Sequence, residues 1–519
     1  MFRNPTLFFV NKKLKQVQLD NKNDIKYNFK MIIKTSPDEI QNYLTDASNL
    51  KGFCDAVYFP ENESDVVEIL KEANEKKIKV TVSGSGTGLT GARVPNGGIV
   101  IATDKLNRVI EINEKDKTAT VEPGVILSDF QNLVNEKKLM YPPDPTERNC
   151  FIGGTVATNA SGEKTFKYGP TRNYVLELNV VLANGELLKL KRGDLFAYNY
   201  SLRLKTESGS EYDLHLPDYS MPLTKNASGY FSQKNMDAID LFIGSEGTLG
   251  VVTQIKLKLV DKPDKILSCV MFFNLETDAL SFINQARKIS YQTRQKELRD
   301  ALDALALEFF DKNSLNFLFI DYPNVPLNAE AAVWFEQEVN IQNEEFLIEE
   351  WMKLISEFNG NEESAWFAFS DSDNKKIQNF RHAISWKISE YISQNNLKKL
   401  GTDVAVPDDK FEELYFFSKS EVEKENLPYV VYGHFGNSHM HLNMLPKSEE
   451  DYLKGKEVYK RICTRAVELG GTISAEHGIG KLKTDYLVLM YGEANIRKMA
   501  EVKKVLDPNL ILGSGNIFK

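Results

Sequence analysis

The strongest constraint on the fold of this 519-residue chain is a glycine loop, GSGTGLTGARVPNGG at residues 84–98, held between two strand-like runs. The entering run, KVTVS, alternates with a period of two. It follows SDVVEILKEANEKKI, whose helical periodicity starts behind Ser64 as a capping residue. Gly84, Gly86, Gly88 and Gly91 can adopt positive φ and turn backbone N–H groups toward an anion, while Ser83, Ser85, Thr87 and Thr90 add hydroxyl donors around Leu89. That is the chemistry of a phosphate cradle. Residues 86–91 satisfy GxGxxG, and Glu111 stands twenty residues past Gly91, the spacing of a Rossmann fingerprint. A Rossmann loop, however, opens a helix whose N-terminus holds the pyrophosphate. Here Pro95-Asn96-Gly97-Gly98 intervenes and the strand-like IVIAT follows. Strand RVIEIN, turn EKDK, strand TATVEPG and helix LSDFQNLVNEKKL come next, so the succession is α+β.

Two further glycine segments, FIGGTVATNASG at 151–162 and LFIGSEGTLGVVT at 241–253, each interrupt an apolar strand-like run. Glycines there let a flat aromatic ligand or a phosphate approach the backbone, and three such segments point to a ligand site. The Pro-ordered loop PPDPTERN at 142–149 leads into the second. Residues 191–240 are polar and sprinkled with Gly, Ser and Asn, which reads as a long surface insertion closed by the run Lys225 to Tyr230.

The length implies two or three domains, and 42% hydrophobic with 26% charged residues is globular. A net charge of −9 excludes nucleic acid as the main partner. Residues 1–34 are locally basic, with eight Lys or Arg against Asp20 and Asp24, which reads as a solvated arm or a peripheral contact with an anionic membrane. No stretch is long and apolar enough to span a bilayer and no signal peptide is evident, so a cytoplasmic protein is expected. Cys54, Cys150, Cys269 and Cys463 form no CxxC pair, and neither a disulfide framework nor an iron–sulfur cluster is encoded.

Four of the six histidines fall in two clusters, GHFGNSHMHLN and SAEHGIGK. A strand's period of two puts His439, His441 and Asn443 on one face, and Gly436-Asn437-Ser438 can turn the chain so that His434 joins them from the preceding run, YVVYGH. Imidazoles with a carboxylate from Glu476 form a donor set for a zinc-like ion.

In this order SGSGTGLTG, PPDPT, IGGTVATNASG, GSEGTLGVVT, HFGNSHMH and EHGIG resemble the FAD-linked oxidase family of the vanillyl-alcohol oxidase superfamily. Within it the resemblance is to the metal-dependent D-2-hydroxy acid dehydrogenases that act on D-lactate, D-2-hydroxyglutarate or glycolate. It implies an α+β architecture: a basic arm and lead-in at 1–50, a two-subdomain FAD-binding domain at 51–262, an α+β cap domain with an antiparallel sheet at 263–470, and a segment at 471–519 that returns to the flavin. Within the cap, ILSCVMFFNL reads as a strand, and QTRQKELRDALDALALEFF and NEEFLIEEWMKLISEF as helices. The resemblance assigns the pyrophosphate to the first loop, Ser83 to Gly91. Flavin contacts fall to Pro143 and Asp144, to Gly153, Gly154, Thr155, Thr158, Asn159 and Ser161, and to Gly244, Glu246, Gly247, Gly250 and Val251. Residues 50–214 contain no histidine to carry a covalent flavin, and Cys150 reads as a small buried side chain, so non-covalent FAD is expected.

The activity implied is transfer of a hydride from the α-carbon of a 2-hydroxy acid to flavin N5. Arg381 matches the carboxylate-binding arginine, whose guanidinium can hold a carboxylate through two parallel bonds. His434, His441 and Glu476 match the ligands of a divalent metal, Zn or Mn; His477 matches the base, and Asn443 binds substrate or orients the site. Neighbours on a strand face opposite ways, so Glu476 and His477 share a site only on irregular backbone, which Gly478 and Gly480 allow. Two departures stand out. His439 occupies a position where relatives often carry Asn, leaving it either a residue that supports the ligands from behind or an alternative ligand. The lysine common two residues before Asp403 is replaced by Gly401, with Lys398 and Lys399 upstream, which weakens the case for a dicarboxylate substrate. His382 reads as structural or solvent-facing. Electrons would pass to a quinone, cytochrome, electron-transfer flavoprotein or iron–sulfur partner. The competing readings are an alkyl-dihydroxyacetonephosphate synthase-like transferase, a metal-free sugar or alcohol oxidase, and a non-catalytic flavin-binding subunit.

Overall fold

The structure, a computed structural model, describes residues 31–395, 397 and 400–519. Most of the basic N-terminal stretch, together with Lys398 and Lys399, lies outside the described residues.

A four-stranded sheet comes first, in the order Ile32–Lys34, Ala56–Phe59, Ile99–Ala102, Val80–Ser83. Its last three strands run parallel, and the glycine loop connects two of them. The helix Glu63–Glu75 covers this sheet with Val66, Ile69, Leu70 and Ala73, a stripe at helical spacing. Its cap is Asn62, which accepts from the Asp65 N–H; Ser64 lies one position inside. An antiparallel five-stranded sheet follows, in the order Val109–Asn113, Thr118–Val121, Val251–Lys258, Val175–Val181, Leu187–Lys191.

Residues 191–240 depart from the expected surface insertion. They form a hairpin, Ser201–Lys205 with Glu211–His215, and then a largely buried strap. Its polar residues are buried because they are paired: Ser228 shares a 2.7 Å hydrogen bond with Thr472, and Tyr219 stacks on Tyr491 at 4.1 Å.

The third sheet has eight strands and is antiparallel throughout. Its order is Trp366–Phe367, Lys265–Phe273, Ala331–Val339, Ala304–Asp311, Tyr429–Gly433, His439–Met444, Leu400–Gly401, with Val404–Ala405 also on the histidine strand. Both faces are covered. Leu267, Cys269, Met271 and Phe273 point into one core, and Val270 and Phe272 into another, closed by Ile377, Phe380, Ile384 and Ile388 of the helix Asp371–Gln394. Burial on both faces explains one misreading. The run QTRQKELRDALDALALEFF is not one helix: the helix Glu276–Gln295 ends, Glu297 and Asp300 take positive φ, and Ala304–Asp311 continues as a fully buried strand. A strand buried on both sides has no polar alternation to distinguish it from a helix.

The C-terminal residues return to the first sheet. Leu512 bridges to Val80, and the Val80 N–H donates to the Ile511 carbonyl at 2.7 Å. No helix among the described residues is long and apolar enough to cross a membrane.

Candidate active site

The strands Tyr429–Gly433 and His439–Met444 pair antiparallel, with Tyr432 opposite His441. The link between them is a 3-10 turn, Phe435–Asn437, ended by Ser438 at φ 51°. His439, His441 and Asn443 therefore share the face that looks toward the helix Asp371–Gln394, and His434 joins them from the end of the partner strand. Arg287 secures the turn by donating to the carbonyls of Phe435 (2.5 Å) and Gly436 (3.2 Å).

Glu476 comes from irregular backbone beyond Ser474, where Gly478 and Gly480 take φ of 76° and 52°. Its carboxylate is the centre of the cluster. Oε1 lies 3.3 Å from both His434 Nε2 and His441 Nε2, and Oε2 lies 3.9 Å from His439 Nδ1. Each imidazole is held through its other nitrogen: His434 Nδ1 against Glu308 Oε1 at 2.7 Å, His439 Nε2 against Asp403 Oδ1 at 2.9 Å, and His441 Nδ1 against the Thr402 carbonyl at 3.2 Å. An acceptor on one nitrogen fixes the tautomer and leaves the other nitrogen's lone pair facing the centre, the arrangement found around metal-ligating histidines. Asn443 continues the face, in register with Gly401 and Val430.

His477 meets the same centre from the side, with Nε2 3.8 Å from Glu476 Oε1 and Nδ1 3.2 Å from Asp403 Oδ2. Its side chain keeps 26% of its surface exposed, so a small molecule can reach it. Burial lowers its pKa to about 4 against the pull of Asp403, which leaves the ring neutral at ordinary pH. Asp403 is fully buried. It also accepts from Ser474 Oγ (2.8 Å) and Lys483 Nζ (2.9 Å); against burial, the adjacent His477 and then Lys483 and His439 hold its carboxyl far below the usual range.

Arg381 has a partner that the sequence did not suggest. Its Nε and Nη2 converge on the one oxygen Glu308 Oε2, at 2.7 and 2.5 Å, which occupies the guanidinium edge expected to hold a substrate carboxylate. Nη1 is buried and has no hydrogen-bond partner. Glu308 thus joins the arginine to His434. Burial works to raise its carboxyl, but Arg381 and then His434 hold it at about 2; at His434, Glu308 and Glu476 outweigh burial and raise the imidazole to about 9, so without a cation Nε2 also carries a proton, which a bound metal would displace. His382, next along the helix, faces Glu163 at 3.4 Å.

The glycine segments converge on this cluster. Thr90 Oγ1 donates to the His477 carbonyl at 3.3 Å, and the Thr90 carbonyl accepts from the N–H of Lys481 at 2.9 Å. Ser161 Oγ donates to Glu476 Oε2 at 2.9 Å and accepts from the buried Lys225 at 2.7 Å. Glu246, at φ 52°, accepts from the N–H groups of Ile479 and Gly480, both at 2.7 Å. Burial nonetheless pushes its carboxyl up to about 7. Gly244 and Glu246 also donate their N–H groups to Val156 and Ala157, so the third segment packs on the second.

The other residues expected at the flavin lie outside this junction. The second segment is a helix, Ile152–Thr158, ended by Asn159 at φ 49°, and the hydroxyls of Thr155 and Thr158 donate within it. Asp144 is tied to Arg148 (2.8 Å) and Lys164 (2.7 Å), beside Pro143. Val251 opens the strand Val251–Lys258, and a Cβ on Gly250 just before it would meet Val180 at 2.4 Å.

Comparison with known proteins agrees with this geometry. Residues 54–191 match the FAD binding domain model, and residues 291–517 match that of the FAD linked oxidases, C-terminal domain. The D-lactate dehydrogenase of Anaerostipes hadrus is 30% identical over 87% of this chain and 87% of its own length. The chain belongs to the FAD-linked oxidase family. The D-2-hydroxyglutarate dehydrogenase of Stutzerimonas stutzeri is also 30% identical, over 92% of this chain and 96% of its own. Among solved structures, an alkyldihydroxyacetonephosphate synthase superposes with a TM-score of 0.65 at 14% identity (99% of this chain, 85% of that one). The 4-ethylphenol oxidase of Gulosibacter chungangensis gives 0.66 at 18% identity over 94% of each chain. These two share the fold, an α+β architecture of the vanillyl-alcohol oxidase type.

This FAD-linked oxidase has a cradle that fits its cofactor. Among the described residues, no backbone N–H from Gly84 to Gly91 donates a hydrogen bond within the protein. Gly86 and Gly91 take φ of 92° and 77°, and Arg93 clasps the loop from behind through the Gly84 carbonyl at 2.7 Å. A row of amides without a partner in the protein suits the oxygens of a pyrophosphate. Beside Gly154 there is no atom within 4 Å of where a Cβ would stand, which leaves room for a flat ring against the backbone.

The sequence did not point to Glu308, Lys225 or Lys483. Lys225 was legible only as the first residue of a Gly/Ser-rich run, and Glu308 was hidden inside a run read as helical.

Proposed function

We propose that this enzyme oxidises a D-2-hydroxy acid to the 2-keto acid, with FAD held non-covalently and a divalent cation bound by His434, His441 and Glu476. The observation that carries the proposal is the physical junction of the three glycine segments with the histidine cluster, through Thr90, Ser161 and Glu246. When bound, FAD supplies a two-electron acceptor, and the cation supplies a Lewis acid. His477 takes the hydroxyl proton on Nε2, because Nδ1 is turned to the buried carboxylate of Asp403, 3.2 Å away. Arg381 offers Nη1 to the substrate carboxylate, with Glu308 keeping the guanidinium plane in place. Asn443 is left to orient the substrate from the histidine strand.

Glu308 is bonded to Arg381 and the buried Glu163 also acts on it through its charge, so the surroundings of this cation are acidic. A second substrate carboxylate would meet repulsion there, which favours the lactate and glycolate class over 2-hydroxyglutarate. The domain division at residues 262 and 470 belongs to this reading, as does a separate electron acceptor. The transferase alternative is disfavoured by the carboxylate of Glu476 at the centre of the cluster.

The deciding experiment is anaerobic flavin reduction by D- and L-2-hydroxy acids, before and after chelation. D-lactate or glycolate should bleach the flavin, and chelation should slow the bleaching by at least about 100-fold. Equal rates with and without metal would remove the metal from the mechanism. His477→Ala should lower the reduction rate about 100-fold or more with little change in substrate affinity.

A further inference from the structure

His439 is the member of the histidine cluster for which the function above has no use, and its surroundings are as highly built as those of its neighbours. We propose that His439 Nδ1 is a further protein ligand of the divalent cation, so that this chain binds metal through three imidazoles and Glu476. The inference rests on the metal reading above and extends it to a residue outside that ligand set.

Four observations support it. The donor atoms of His434, His439, His441 and Glu476 all lie within 4.8 Å of one another. Donors about 2.1 Å from a common centre are about 3.4 Å apart in a tetrahedron, close to the 3.3 Å from Glu476 Oε1 to each of His434 and His441, while His439 Nδ1 stands 3.9 Å from the other oxygen of the same carboxylate, Oε2. His439 repeats the pattern of the other two, with the nitrogen turned away from the centre held by a carboxylate, Asp403. Finally, His439 is fully buried and Nδ1 has no hydrogen-bond partner.

The last point carries the chemistry. With Asp403 accepting the proton on Nε2, Nδ1 presents a bare lone pair toward the carboxylate of Glu476. Two electron-rich groups facing each other in a buried site repel, and a cation between them converts the repulsion into two bonds. The ammonium of Lys225 does not fill this place: it donates to Ser161 Oγ at 2.7 Å and lies 3.5 Å from Glu476 Oε2. Nor can His439 readily turn aside. Its backbone is fixed by pairing with Ala405, and its fully buried ring is tethered to Asp403 through Nε2 at 2.9 Å. A donor set of three nitrogens and one oxygen selects Zn²⁺ or Co²⁺ over Mn²⁺, whereas exchanging one imidazole for an amide shifts the preference toward the harder ion.

The test uses the full chain with FAD bound. X-ray absorption at the zinc edge, on wild-type protein loaded with one equivalent of Zn²⁺, should count three imidazoles; a count of two overturns the inference and leaves the metal reading standing. Chelator competition should show His439→Asn binding Zn²⁺ at least about tenfold more weakly, with a smaller loss for Mn²⁺. Unchanged Zn²⁺ affinity in His439→Asn, with native flavin absorbance showing a folded chain, also overturns it. Wild-type protein that takes up no zinc, or uptake indifferent to His434→Asn, removes the metal reading and this inference together.

Discussion

Glu308 is one carboxylate with two duties: Oε1 fixes the tautomer of His434, and Oε2 neutralises Arg381. Both partners are buried, so a change at this residue has two separable consequences. Glu308→Gln preserves volume but removes the charge and turns one acceptor into a donor. Metal affinity should fall about 10- to 100-fold, as expected when the support of a ligating histidine is lost. Stability should fall by roughly 3–5 kcal/mol, because the Arg381 guanidinium is left buried without its counter-ion. Chelator competition reads the first effect and denaturant unfolding the second. Loss of stability with unchanged metal affinity would mean that Glu308 serves the arginine alone. Asp403 has a similar position beside His439 and His477, with Lys483 balancing its charge.

Among the elements, the turn after His477 is the most closely fitted to its surroundings. Gly480 has φ of 52°, and a Cβ there would stand 2.1 Å from the Thr90 carbonyl oxygen. Gly480→Ala therefore combines left-handed strain of about 1–2 kcal/mol with displacement of the glycine loop. Gly209, at a hairpin end with φ of 94° and nothing within 4 Å, is the control for backbone strain alone. Gly480→Ala should weaken FAD binding and slow flavin reduction, whereas Gly209→Ala should cost a similar amount of backbone strain and leave both unchanged. If the two variants behave alike in FAD binding, the close approach to Thr90 has no functional weight. The same comparison indicates what sequence could reveal. Glycines and histidines were legible because few residues can replace them at a positive φ or a metal site, and the alternation in HMHLNM gave the correct shared face. The strand holding Glu308 was not legible, since ALALEFFD is buried on both faces and lacks the period of a strand. The strap holding Lys225 was equally obscure, because its burial depends on hydrogen bonds to Thr472, Ser474 and Ser161, all distant in the chain.

At the scale of the whole molecule, separate domains would ordinarily unfold in separate transitions, but here the glycine-loop side and the eight-stranded-sheet side share one hydrophobic cluster, in which Val121 and Leu178 join Leu267 and Phe335. In this chain the site interlocks them. Ser161 and Thr90 reach from the first half to Glu476 and His477, Glu246 anchors the turn at Ile479, and Lys503 donates to the carbonyls of Thr248 and Leu512 from within the C-terminal helix Thr484–Leu506. Two intrinsic probes report on different sides of this junction. The four tryptophans, Trp334, Trp351, Trp366 and Trp386, all belong to the eight-stranded sheet or its helices, while the flavin reports on the glycine loops. The expected result is that tryptophan fluorescence and flavin release give coincident thermal transitions. Free FAD at about 100 times its Kd should stabilise both by about 2.7 kcal/mol, because a ligand bound only by the folded molecule shifts every element that unfolds with it. A tryptophan transition that ignores added FAD would mean that the sheet unfolds independently of the loops, and the contacts through Ser161 and Thr90 would then carry no cooperativity.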